Sequence, residues 1–243
     1  MFTFFIRQTI NCAVCIYVIE RLKIYVAFLA LVAGLSICNN SASDADNASS
    51  DIHKSLSVAG DTIIKNTNGF STAMHQMMND MHQLPMSGNV DKDFAMMMRS
   101  HHQGAVSMSL FEISNGKDET LQIMAQKISD EQKVEIKELE MFIASHEKTP
   151  DNYDPQKKDQ GFAKVLDENM RMMMDMSKMD TSMSADQQFV AMMIPHHQSA
   201  VDMAKGFLKY GKDARLIAMA KEMIISQNKE IGTFNSWVDL HKE

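Results

Sequence analysis

Phe94-Ala-Met-Met-Met-Arg-Ser-His101-His102-Gln-Gly-Ala-Val-Ser-Met108 returns, altered but recognisable, as Phe189-Val-Ala-Met-Met-Ile-Pro195-His196-His197-Gln-Ser-Ala-Val-Asp-Met203. The second version begins 95 positions after the first, and the register holds without a gap far beyond it. Gly116-Lys-Asp118 matches Gly211-Lys-Asp213. Gln132, Glu135-Ile136 and His146 match Gln227, Glu230-Ile231 and His241. Upstream, Met77-Met78 and Met81 match Met172-Met173 and Met176. Residues 61–148 and 158–243 are therefore read as two copies of one unit, with a linker at 149–157 that carries Pro150 and Pro155.

Each unit reads as three helices, so the expected fold is all-α. The first is short and Met-rich, near 61–83 and 160–179. The second carries the His pair, with Asp91 or Asp93 as the expected N-cap in one copy and Ser184 or Asp186 in the other. Its end is expected near Asn115-Gly116 and near Tyr210-Gly211, where glycine suits a helix stop. Asp118 and Asp213 then open a third helix running to about 146 and 241. Pro195 falls inside the second copy's His helix, where it removes a backbone hydrogen bond.

The faces of these helices carry the chemistry. Phe94, Met97, Met98, His101, Ala105 and Met108 follow the three-to-four spacing of one apolar stripe. His102 is turned about 100° away and borders that stripe. Met192, Met193, His196 and Met203 repeat the arrangement. On the third helix, Leu121, Ala125, Ile128, Gln132, Glu135, Leu139 and Phe142 form a stripe with Gln and Glu in its middle, and Gln227 and Glu230 sit likewise in the copy. A buried carboxylate needs a partner, and the His pairs are the nearest candidates. The first His of each pair is expected to point into the bundle toward that Glu. Glu135, Glu230, Gln132 and Gln227 are read as groups that orient the imidazoles, with direct ligation by Glu as the alternative. A buried Glu–His link without any metal also fits the pattern.

Methionine supplies 24 of the 243 residues, and cysteine is confined to Cys12, Cys15 and Cys38. Thioethers and imidazoles without thiolates favour Cu(I), and Ag(I) by the same softness. The candidate ligands are His101, His102, His196 and His197, assisted by Met97, Met98, Met108, Met192, Met193 and Met203. The further methionines between Met74 and Met81 and between Met170 and Met176 are too many for one helix face, which sends some toward solvent or metal. A ferritin-like iron or manganese redox site would need Glu-x-x-His pairs, and none occurs at the motif. No His-Glu-x-x-His zinc motif is present either. No catalytic residue is assigned. A net charge of −7 argues against nucleic acid as partner.

Arg21-Leu-Lys23 precedes a short apolar run ending at Cys38, and a polar stretch from Asn39 to Ser50 follows. The run is too short for a spanning helix and has the form of an export signal. Residues 1–38 are read as a lipoprotein signal with Cys38 as the lipidated residue, and 39–60 as a polar tether. Ordinary secretion and an uncleaved anchor are the alternatives. Apolar residues 1–20 ahead of the charges place the expected start near Leu22. The expected location is the periplasm or the envelope membrane, with a copper-donating or copper-accepting envelope protein as partner.

The pattern Phe-x-x-Met-Met-x-Pro-His-His-x-x-Ala-x-x-Met, followed by Gly and a Gln-x-x-Glu-Ile helix, resembles the bacterial domain-of-unknown-function family 305. Residues 189–241 lie close to its pattern, whereas Arg99-Ser100 and Gly104 depart from it. The resemblance implies a ferritin-like helical bundle, often internally duplicated, in an exported protein. It also implies copper binding, since some members are periplasmic copper proteins linked to copper tolerance.

Overall fold

The computed structural model describes residues 69–175 and 182–241, all within one compact unit spanning Leu56–Glu243. Among these residues there are six α-helices and no strand: α1 (Gly69–Gln83), α2 (Val90–Asn115), α3 (Glu119–Ser145), α4 (Gly161–Asp175), α5 (Ala185–Phe207) and α6 (Ala214–Leu240). None of them is long and apolar enough to cross a membrane. The expected leader, the tether, Cys38 and Met176 lie outside the described residues.

α2 and α5 pack against each other at the centre. α1 and α3 flank α2, and α4 and α6 flank α5. The reason is the breadth of their apolar faces. α2 and α5 bury side chains around most of their circumference, whereas α1, α3 and α6 bury a single stripe. Phe94 of α2 stacks on Phe207 of α5 with ring centroids 3.9 Å apart. Phe70 meets Phe111 edge-on at 4.6 Å, and Phe189 meets Phe234 at 5.6 Å. Each fully buried ring of these, Phe111 being half-buried, contributes about 1.5–3 kcal/mol of apolar transfer.

The Met-rich face of α1 differs from the expectation that its methionines overrun one face. Met74, Met77, Met78 and Met81 are all buried, together with Phe70 and Ala73, on a single three-four stripe. They are core residues, while His75 and His82 on the same helix are exposed. On α4, Met173 is buried and Met174 is exposed. Close packing also explains Gly104, since a Cβ there would meet the side chain of Met77.

The helix starts follow capping chemistry with one correction. Ser184 forms a capping box with Gln187, and Asp118 and Asp213 cap α3 and α6. At α2 the cap is Asn89, whose side chain accepts from Lys92 N at 3.2 Å, and not Asp91 or Asp93. Those two acids are drawn into tertiary contacts. Asp91 Oδ1 accepts from the backbone N–H groups of Lys212 and Asp213 at 2.8 and 2.9 Å. Asp186 Oδ1, in the corresponding place of the other copy, accepts from Lys117 and Asp118 at 2.9 Å each. The start of α2 thus holds the start of α6, and the start of α5 holds that of α3.

Asp93 anchors the linker. It accepts from Ser87 and Gly88 on one side and from the Tyr153 hydroxyl, at 2.7 Å, on the other. Gly88, at φ 78°, takes the left-handed turn before α2, and its carbonyl accepts from Asn152 and Tyr153. At the far end, α5 stops at Phe207 and a turn carries the chain to Gly211. Gly116 has φ −65°, so no left-handed conformation requires it. Close approach does: a Cβ on Gly116 would strike Glu112, and one on Gly211 would strike the Phe207 ring.

Candidate metal centre

Pairing α2 with α5 brings the two His motifs together. The rings of His101 and His196 lie 3.8 Å apart between centroids, inclined by 38°. Within each motif the two rings are 6.4 Å (His101–His102) and 6.0 Å (His196–His197) apart. All four are 0–1% exposed. α5 stays helical through Pro195 and delivers its pair beside that of α2.

The second His of each pair meets the glutamate, not the first. His102 Nε2 lies 2.8 Å from Glu135 Oε2, and His197 Nε2 lies 2.9 Å from Glu230 Oε2. The helical offset that places His102 and His197 at the edge of the stripe turns them toward α3 and α6, and both are fully buried there. His101 and His196 point across the central pair of helices and meet each other. Lys127 Nζ also reaches Glu230, 2.8 Å from its Oε1. Glu230 is held below the usual carboxylate range: burial pushes it up, but His197 and then Lys127 pull it down further.

What the imidazoles lack is as informative as what they touch. Neither ring nitrogen of His101 or of His196 has a hydrogen-bond partner, and the Nδ1 atoms of His102 and His197 have none; His197 Nε2 is hydrogen-bonded to Glu230, whereas the short His102 Nε2–Glu135 contact lacks hydrogen-bond geometry. Leaving a buried polar atom unpaired costs about 1–3 kcal/mol. Burial, reinforced by the neighbouring imidazoles, holds His101 and His196 well below the ordinary imidazole value, so both are neutral at pH 7. Neutral imidazole is the ligand form. A carboxylate on one ring nitrogen with the other left free is the arrangement that orients metal-binding histidines.

Met97, Met98, Met108, Met192, Met193 and Met203 are all buried in the same core cluster. Gln132 and Gln227 are buried as well, and their side-chain carbonyl oxygens accept no hydrogen bond. Among the described residues no three His, Cys, Asp or Glu side chains converge as a ready cage for a metal ion. The donors present are imidazole nitrogens and thioethers, which suit a soft monovalent cation far better than a hard one.

Residues 91–238 match the family described as Domain of unknown function (DUF305). The chain belongs to this family. A 57-residue stretch is 42% identical to "Uncharacterized protein L153" of Acanthamoeba polyphaga mimivirus; it spans 24% of this chain and 38% of the length of that relative. Among solved structures, the chain is similar to CopM in the Ag-bound form (by soaking), at 25% identity and TM-score 0.48 over 63% of this chain and 97% of the other. It is similar to CopM in the Cu(I)-bound form at 24% identity and TM-score 0.47, over 63% and 98%. In this DUF305 chain the matched span includes both His motifs and both glutamates.

Two groups that the motif does not single out bear on the bundle: Lys127 on α3 and Glu112 in the last turn of α2. Lys127 stands where the other copy has Glu222, a reversal of charge that comparing the copies exposes. Glu112 stands opposite Phe207 in the same comparison and is fully buried.

Proposed function

We propose that this protein takes up Cu(I), and Ag(I) by the same chemistry, in the buried core between α2 and α5, and sequesters or relays it at the cell envelope in support of metal tolerance. Its four imidazoles and six methionines are the donors, with Glu135 and Glu230 orienting His102 and His197. The observation that carries this reading is the set of imidazole nitrogens left without partners inside a methionine-lined core. A bundle whose histidines served packing alone would satisfy those atoms or replace them with apolar groups. The protein is read as a carrier and not an enzyme. Its bundle is read as ferritin-like and built from two tandem copies of a three-helix unit. Cys38 is read as the lipidated residue that holds it to the envelope membrane.

The test is to offer the full chain Cu(I), Ag(I), Fe(II) and Mn(II) in separate anaerobic equilibrations and measure bound metal per chain. Uptake of the two soft cations with exclusion of Fe(II) and Mn(II) is expected. Preference for Fe(II) or Mn(II), with oxidase turnover, would replace this reading with that of a redox enzyme. Absence of uptake would leave a helical interaction module whose His–Glu contacts are structural.

A further inference from the structure

The imidazoles are sealed inside the bundle, yet an open groove reaches the two glutamates that touch them. α3 and α6 leave between them a groove of about 1350 Å³. Glu135 and Glu230 line it, so its floor lies one side chain away from His102 and His197. Thioethers line it too: Met124 on α3 and Met219 on α6, which are 95 positions apart, and Met141, which is 65% exposed. Five glutamates against three basic side chains make its lining acidic.

Its two walls are not equivalent. Lys127 crosses the groove from α3 to Glu230 on α6 and also pairs with Glu131. The corresponding residue of the other copy is Glu222, so no equivalent ammonium covers Glu135. The Glu135 side chain is 25% exposed, against 10% for Glu230.

We propose that this groove is the port through which a soft monovalent cation reaches the buried imidazoles. Met124 and Met219 receive it from solvent as thioether ligands. It enters on the Glu135–His102 side, because Lys127 latches Glu230. The proposal rests on the copper reading and adds a route and an order of entry. The physical reason is desolvation. A bare cation pays heavily to cross an apolar wall, and successive soft ligands replace its water one at a time. The acidic lining draws cations to the mouth of the groove.

The experiment follows transfer of Cu(I) from a chromophoric chelator to the full chain by stopped flow, alongside the equilibrium stoichiometry. The Met124→Leu/Met219→Leu double variant keeps side-chain volume and is expected to slow uptake by about tenfold with unchanged stoichiometry. Lys127→Ala is expected to speed uptake, and Glu222→Lys, which places an ammonium on the open side, to slow it. Circular dichroism checks that each variant is folded. Unchanged rates in all three variants at full stoichiometry would overturn the port and leave the copper reading standing. A wild-type chain that takes no Cu(I) from the chelator would overturn both.

Discussion

Glu112 and Phe207 occupy corresponding positions 95 residues apart, and only one of them can carry a charge. Phe207 stacks on Phe94, whereas Glu112 is buried against the carboxylate of Asp186 and has its pKa pushed up to about 8. Burial is the main cause, followed by Asp186 and Asp118 beside it. Between its ordinary value of 4.5 and about 8, the unfolded chain has lost a proton that the folded chain keeps. Stability therefore falls as pH rises through that window, by up to about 1.4 kcal/mol per pH unit. His101 and His196 act on the acid side with the opposite slope. Below about 6.5 the unfolded imidazoles gain protons that the buried rings refuse, so stability falls as pH drops. Urea unfolding of the metal-free chain from pH 5 to 8.5 is expected to show both limbs. Glu112→Gln is expected to flatten the alkaline limb and steepen the acid limb, where the two windows overlap; an unaltered alkaline slope would count against the assignment. At this scale the sequence was legible in kind but not in direction. Polar residues inside apolar stripes marked His101, His196, Glu135 and Glu230. Which His of a pair meets the glutamate depends on how far α3 and α6 wrap around α2 and α5, and a single helix does not record that.

Helix ends carry the contacts that join α2 to α6 and α5 to α3. Asp91 and Asp186 look like caps because an acid near a helix start usually is one. Each is instead used to hold two backbone N–H groups of the other copy's third helix. The true cap, Asn89, was eclipsed by its acidic neighbours; Ser184 was readable beside Asp186, and Asp118 and Asp213 had no competitor. Asp91→Ala would leave the N–H groups of Lys212 and Asp213 without their acceptor. It is expected to cost about 2 kcal/mol in urea unfolding and to speed amide exchange at those two positions. Asp213→Ala, which removes only the cap of α6, is expected to cost about 1 kcal/mol. Equal exchange at Lys212 in wild type and Asp91→Ala would show that the clasp is not formed in solution. The methionines between Met74 and Met81 look too many for one helix face, with some sent toward solvent or metal, but α1 is short and packs against a broad partner. Four methionines at three-four spacing fit its single buried face.

For the whole molecule, the all-α class was visible in the 95-residue register, but the meeting of the two His motifs face to face was not, because a register does not record which helices pack together. What the register hides is asymmetry. Lys127 against Glu222 and Glu112 against Phe207 make the two copies unequal in the places that govern access and pH response. The loading order follows from the first of these, and Glu135→Gln is expected to slow Cu(I) uptake more than Glu230→Gln does, since both line the groove but only Glu230 is covered by Lys127. Both copies still converge on one core, where His101 and His196 face each other. That convergence is the centre of the functional account. It is tested most directly by competitive titration of Cu(I) into three forms of the full chain: wild type, His101→Ala/His196→Ala, and His75→Ala/His82→Ala, whose two histidines are exposed on α1. The account predicts tight uptake by wild type and by the α1 variant, and loss of at least about tenfold in affinity when the facing pair is removed. Equal affinity in all three, or loss confined to the α1 variant, would contradict it.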